Sequence, residues 1–576
     1  MGAPAGRSAL SAPEHTATPQ RSLRGSLSVA AAVVVSPGGQ VCVVDEQVSH
    51  HRDARAVHEA GVLEGRRVVW WSASSARALI GDGRLSRVWD VAAVHRLIAG
   101  GHRDDPVAVW STRFGLPIPA PIEERQARPG GPDLFAGLAD EDTTLSPGQP
   151  LPARTGSPEW LRDGGNRELW GRAALDTALW QADVLDDRCG GLSCATSESG
   201  AAMLCVELEE HGLPIDRPTL EGLIAQAAGP RPTDDRHAAE IRRGRDAVVW
   251  QHLPGGGSID LRNPLAVRDM LRRSGINVED TRAWHLEPYR AGSPLVDALL
   301  DWRKAERIAT TYGWHWLDRF VGPDDRLRGE WDASDGGAGR MTAGSGLHSL
   351  PAPLRPGVAA AAGHVLVRAD LGQIEPRVLA VVSRDPALAE ATRADDLYAE
   401  IATDLSVDRP TAKIAMLAAM YGQTSGTAGQ VLGRLEHTYP VAMAYLRDAA
   451  LQGERGESVM TYGGRLVPVS VGPDDTSARA RGRGRFTRNA VVQGAAAEFF
   501  KAWALTVRAA IAPLGGEIVL CLHDELLVHT PAAQADSTMQ AVETALQDAA
   551  RRWSEGAPVR FVADTGIFQR WSEAKE

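Results

Sequence analysis

Two apolar runs, Glu517–Leu522 and Glu525–Thr530, are separated by only two residues, His523 and Asp524. Both runs are rich in Ile, Val and Leu and have the length of strands. A two-residue gap between such runs predicts a tight β-hairpin. A purely structural turn would be expected to carry Asn-Gly or Asp-Gly. This one carries His-Asp, and Glu525 follows directly. Charge between two buried strands costs free energy unless a cation or partner compensates it. The hairpin therefore points to a metal site at its tip.

A second acid stands at the end of another apolar run, Val365-Leu366-Val367-Arg368-Ala369-Asp370. The chain then leaves the strand through Leu371-Gly372-Gln373 and enters a helix carrying Glu375, Pro376 and Arg377. By itself an acid at a strand end reads equally well as a helix cap. Two acids from distant strands converging on one sheet are a different matter. Mg²⁺ prefers hard oxygen ligands and usually takes one or two carboxylates plus substrate phosphates. Two such ions ~4 Å apart stabilise the attacking and leaving oxygens of an in-line phosphoryl transfer.

Between the two strands lies Asp408-Arg409-Pro410 through Met420-Tyr421-Gly422. Asp408 and Pro410 suit a helix start, and Gly422 suits its end. Arg409, Lys413, Leu417 and Tyr421 recur every fourth residue and track along one slowly drifting face. Two cations, an apolar group and an aromatic hydroxyl would meet a triphosphate and its base in that order. The bland alternative is an amphipathic helix. The helix dipole disfavours cations in the first turn, which favours an anionic ligand there.

Bulk properties bound these readings. At 576 residues the chain suggests three to five packed units, and 43% apolar residues can fill several cores. No apolar run approaches the ~20 residues a membrane-spanning helix needs. The apolar stretch after Arg21 and Arg24 admits a signal peptide. The turn Ser36-Pro37-Gly38-Gly39 between two β-like runs favours a hairpin instead. Five cysteines without a Cys-x-x-Cys indicate neither a disulfide framework nor a cysteine zinc site, and suit a reducing cytoplasm. A net charge of −11 argues against bulk nucleic-acid binding. The cluster Arg479, Arg481, Arg483, Arg485 and Arg488 reads either as a solvated loop or as a strip for phosphates.

Three blocks, in order and spacing, resemble the family A DNA polymerases, the bacterial polymerase I class. Asp370 to Arg377 is similar to motif A, Arg409-x3-Lys413-x7-Tyr421-Gly422 to motif B on the fingers helix, and Leu522-His523-Asp524-Glu525 to motif C. Smaller blocks agree: Gly339-Arg340-Met341 with Leu347 to Pro351, Arg485-x3-Asn489-x3-Gln493-Gly494, Tyr462 to Arg465, and Trp571 to Glu576. The resemblance covers about residues 200–576. It implies an α+β right hand, with an antiparallel palm sheet and helical fingers and thumb, preceded by an α/β exonuclease-like domain.

The resemblance also implies roles. Asp370 and Asp524 would hold two Mg²⁺ ions (Mn²⁺ being the alternative), with the carbonyl of Leu371 helping and Glu525 an auxiliary acid. Arg409 and Lys413 would bind the incoming dNTP, Lys413 protonating the leaving pyrophosphate. Gln373, Leu417 and Tyr421 would complete the nucleotide site, and Glu375 with Tyr421 would exclude a ribose 2′-hydroxyl. Arg340, Arg485, Asn489, Gln493 and His523 would hold primer-template DNA. Arg303, Arg307 and Tyr312 in the thumb would follow the duplex. The family also implies a cytoplasmic, nucleoid-associated monomer in DNA replication or repair, with no membrane partner. Departures from the family pattern are Leu417 for its usual Phe or Tyr, Leu371-Gly372 for Tyr-Ser, Pro376 within the motif A helix, and a shortened 340s block.

The expected organisation is a disordered tail over 1–26, an exonuclease-like domain over 27–195, and a helical thumb over 196–330. Palm and fingers follow over 331–576, with fingers at about 378–480. Residues 166–320 read as mainly helical, with apolar residues at 3.6-residue spacing, for example Leu175, Leu179 and Val184, then Met203, Leu204 and Leu208. Proofreading by the family's two-metal site needs an Asp-x-Glu pair on the first strand. None occurs between 27 and 195, and the adjacent Asp45-Glu46 would point to opposite faces of a strand. Asp90 and Asp183 are poor matches to the later acids. The domain is therefore expected to be inactive, and nothing in the chain resembles a 5′-nuclease domain. A catalytically silent DNA-binding relative is the alternative reading, against which intact Asp370, Lys413 and Asp524 stand.

Overall fold

The apolar run after residue 29 forms the middle of the first sheet. In the computed structural model, which describes residues 29–80, 85–120, 145–422, 427–522 and 524–574, Ala30–Val35 (β1) turns through Gly39, at φ +81°, into Val41–Val44 (β2). Val48–His51 (β3), Arg67–Trp70 (β4) and Val88–Asp90 (β5) complete a five-stranded sheet of order β3-β2-β1-β4-β5. β1 is antiparallel to β2 and parallel to β4. Alternate residues of β1 enter different cores, Ala32 and Val34 on one face and Ala31 and Val33 on the other. Both faces are covered, so the strands read as continuous apolar runs. The expected tail lies outside the described residues, as does most of the Pro- and Gly-rich stretch after residue 120.

Asp90 caps Val91–Ala99 (α1), accepting from Ala93 N at 2.8 Å. Gly164–Asp186 (α2) crosses β1 and β2 so closely that a Cβ on Gly171 would lie 2.6 Å from Val44 Cγ2. The helix expected here forms, but its larger apolar residues do not carry the buried face. Leu179 is exposed, Leu175 and Val184 are half-buried, and Ala174, Ala178, Ala182 and Leu185 face the core. A helix this close to a sheet buries its small residues and leaves Leu at the rim.

Gly191–His211 (α3) is buried on most sides. Its Met203 joins the N-terminal core while Leu204 and Leu208 join the large C-terminal core. The helix runs across 195/196 without a break. Asp235–Trp250 (α4) and Pro294–Thr311 (α5) enclose a separate core of Val249, Val267, Leu271 and Leu299.

The second sheet consists of His364–Leu371 (β6), Glu517–Leu522 (β7), Glu525–Pro531 (β8) and Ala563–Phe568 (β9), all antiparallel, in the order β7-β8-β6-β9. Around it lie Ile374–Ser383 (α6), Leu397–Leu405 (α7), Arg409–Tyr421 (α8), Pro440–Glu454 (α9), Ser477–Ile511 (α10) and Ala535–Trp553 (α11). Among the described residues, no helix is long and apolar enough to cross a membrane.

Candidate active site

The hairpin forms as expected, and β6 lies against it. Asp370 pairs directly with Glu525 across β6 and β8, and Leu371 N donates to the carbonyl of Asp524 at 2.9 Å. Asp370 and Asp524, 154 residues apart in the chain, thus meet at one edge of the sheet. Asp370 and Asp524 are both partly exposed, so the edge is open to solvent. Two carboxylates at one sheet edge make a hard-oxygen donor set that fits Mg²⁺. His523 lies outside the described residues.

Glu525 turns away from solvent. Arg368 Nε donates to its Oε1 at 2.8 Å, and Trp571 Nε1 donates to the same oxygen at 2.8 Å. Arg368 also donates to Asp370 Oδ2 and lies 3.4 Å from Asp564 Oδ2. Burial opposes the guanidinium's charge, but the hydrogen bond and charge of Glu525, with Asp370 and Asp564, outweigh it and raise its pKa. Sequence reasoning missed Arg368. A charged residue inside a buried run was the available signal.

A cleft leads from Asp524 past Glu375, Leu417 and Tyr398. Glu375 receives Arg340 Nη2 at 2.9 Å and Tyr421 Oη at 3.3 Å, and Gln493 Nε2 donates to Tyr421 Oη at 3.2 Å. Burial raises the Glu375 pKa, against the pull of Arg340 and Tyr421. Four expected site residues thus form one network. Gln373 adopts a left-handed φ of +50° at the start of α6, and its Oε1 accepts from Arg377 and from Leu397 N. Arg377, fully buried, also donates to carbonyls of Gly372, Thr392, Ala394, Asp395 and Arg560. Glycine at 372 has a steric reason: a Cβ there would lie 2.8 Å from Val562 Cγ2.

The helix α8 is capped as expected, Asp408 Oδ1 accepting from Thr411 N at 2.7 Å, with Gly422 left-handed at φ +70°. Arg409 and Lys413 are exposed, 5.9 and 6.0 Å from the ring centroid of Tyr398. Asp396 pairs with Arg409, so that cation already has an internal partner in the first turn. Neither Tyr398 nor Asp396 was singled out in the sequence; both lie outside the recognised motifs.

The arginine cluster is helical, at the start of α10, and not a loop. Arg483 pairs with Asp475, Arg479 donates to the carbonyl of Asp474, and Arg488 donates to the carbonyl of Ala419. Arg481 and Arg485 are exposed. Arg485, Asn489 and Gln493 follow one another at four-residue spacing along the helix toward Tyr421. On α5, Arg307 is exposed and donates to the carbonyl of Ser349 at 3.0 Å, while Arg303 donates to that of Thr281. Tyr312 does not face a duplex: it is buried, its hydroxyl within 3.0 Å of Gly346 O and Ser349 O. In the N-terminal sheet, Asp45 pairs with Arg66, and buried Asp90 accepts from Trp70 Nε1 and Ala93 N.

Residues 265–573 match the family model described as DNA polymerase family A. The chain is 28% identical to thermostable DNA polymerase I of Thermus filiformis over 558 residues, covering 90% of this chain and 63% of that protein. Over 310 residues it is 24% identical to DNA polymerase theta of Caenorhabditis elegans, covering 50% of this chain and 19% of that protein. The chain thus spans less than two thirds of these relatives' length. The solved polymerase domain of Pol1 from M. smegmatis, in complex with DNA primer-template and dNTP, has the same fold. Its TM-score is 0.68 over 95% of this chain and 96% of that one, at 21% identity.

Proposed function

The chain belongs to DNA polymerase family A, and from that premise we propose that it is a template-directed DNA polymerase, extending a primer 3′ end with deoxynucleotides. The observation that carries the reading is the meeting of Asp370 and Asp524 on one sheet edge, at the mouth of a cleft that also holds Glu375. Two divalent ions bound there would supply the charge that stabilises the attacking and leaving oxygens. Asp370, Asp524 and the carbonyl of Leu371 would hold them, with Glu525 contributing negative charge from behind.

Arg409 and Lys413 would take the triphosphate on the exposed side of α8, and Lys413 would give its proton to the departing pyrophosphate. The face of Tyr398 lies 5.9 and 6.0 Å from their charged groups. Leu417 would pack beside the nascent base pair, and Gln373 would set the corner between β6 and α6. Glu375, anchored by Arg340 and Tyr421, would leave no room for a 2′-hydroxyl. Gln493, Asn489, Arg485 and His523 would track the primer-template, with Arg340, Arg303 and Arg307 at its flanks. The N-terminal unit would serve as a scaffold without proofreading, its Asp90 being committed to capping α1. A cytoplasmic monomer in replication or repair fits this reading.

Primer extension with Mg²⁺ and four dNTPs tests it. Asp524→Ala should lower extension by about a thousandfold or more while duplex binding persists, the scale of losing several kcal/mol of transition-state stabilisation. Loss of folding instead would make the acid structural. A labelled mismatched 3′ end, incubated without dNTPs, should stay uncut.

A further inference from the structure

Arg368 sits where a polymerising centre has little use for a cation. It precedes Asp370 by two residues on β6 and therefore points to the same face. The strand register places Glu525 on β8 and Asp564 on β9 at either side of Asp370 on that face. The Arg368 side chain is 5% exposed and reaches all three carboxylates, through Nε to Glu525, Nη2 to Asp370 and Nη1 to Asp564. Trp571 closes the far side of Glu525. Together with Asp524, four carboxylates and one guanidinium share this sheet edge.

We propose that Arg368 is a positioning residue that holds Asp370 and Glu525 and, as a fixed internal cation, sets how tightly the centre takes divalent ions. The inference rests on the reading of Asp370 and Asp524 as ligands. A planar fork bound to two carboxylates fixes their orientation before any ion arrives. Its charge, on a side chain that is itself 5% exposed, also opposes a divalent cation at the same edge. The centre is thereby weakened as an ion trap in the absence of substrate. An incoming triphosphate, which brings its own negative charge, would restore the balance.

The probe is Mn²⁺ alone, titrated into the full chain without DNA or dNTP and followed by its electron paramagnetic resonance signal. Arg368→Gln should bind Mn²⁺ roughly tenfold more tightly than the wild type, the size of one nearby charge partly screened. Arg368→Lys, which keeps the charge, should stay near the wild type. Arg368→Gln leaves buried Glu525 without its cation and is prone to misfold. The same step is therefore repeated in a Glu525→Gln background, where adding Arg368→Gln should again tighten Mn²⁺ roughly tenfold. Unchanged or weaker binding in both backgrounds overturns the role assigned to Arg368. Asp524→Ala separates the two failures: if it binds Mn²⁺ as the wild type does, the ligand reading itself falls.

Discussion

Glu375 is held by three side chains of different origin: Arg340 from the segment before β6, Tyr421 from the end of α8 and, through Tyr421, Gln493 from α10. A side chain fixed in this way makes a rigid wall, and rigidity is what lets a steric contact discriminate one extra hydroxyl. Glu375→Ala should relax rejection of ribonucleotides by tenfold or more, of the order of 1–3 kcal/mol. Competing incorporation of a ribonucleotide and its deoxy counterpart measures the ratio, and an unchanged ratio refutes the role. Asp370 and Asp524 were legible because a carboxylate beside a buried apolar run demands a partner. Arg368 interrupts the same run, but its meaning depends on Glu525 and Asp564. These become its neighbours only through the pairing of three strands distant in sequence.

At the scale of elements, caps and hairpins were readable because their signals are local: Asp408 and Gly422 bound α8 where the sequence put them. The buried face of α2 was not, because contact with β1 and β2 at Gly171 overrides the larger side chains. Nor was the start of α10, where arginine and glycine alternate and only the packing of Thr487 and Gly484 against α9 shows a helix. Strand β8 carries a testable consequence of such packing. His529 is buried, its ring stacked 4.4 Å from His364, and its Nε2 accepts from Ala361 N at 3.2 Å. Burial, with Arg326 and His364 nearby, lowers its pKa to about 4. An unfolded histidine titrates at about 6.5. Between those values the unfolded state binds the proton and the folded state does not, so this stability is present above about 6.5 and is lost as pH falls toward about 4. Relative to His529→Phe, the wild type should lose roughly 2 kcal/mol between pH 7.5 and pH 5. Denaturant midpoints of both proteins at the two pH values check this, and a constant gap would refute it.

At the scale of the molecule, the N-terminal unit is tied to the C-terminal half by buried charge. Glu198 on α3 lies between Lys501 on α10, at 2.7 Å, and Arg465, also at 2.7 Å, and all three are almost fully buried. The two cations outweigh burial and hold the Glu198 carboxyl below its usual pKa. A second ion pair, Glu207 with Arg508, continues the same seam along α3. Apolar contact alone would let α3 slide along α10, whereas a carboxylate held by two cations has one satisfied position. Removing the carboxylate leaves two buried cations facing each other, a situation that costs about 3–5 kcal/mol. Glu198→Ala should therefore unfold at markedly lower denaturant, with the N-terminal unit separating from the C-terminal half before the latter melts. Limited proteolysis of the variant would then release a fragment beginning near α3. Replacing Glu198, Lys501 and Arg465 together by apolar residues of similar volume should recover most of the loss, since the cost lies in unpaired charge rather than in lost attraction. If Glu198→Ala unfolds in one transition at the wild-type midpoint, the seam is held by its apolar contacts, and the charges are incidental to it.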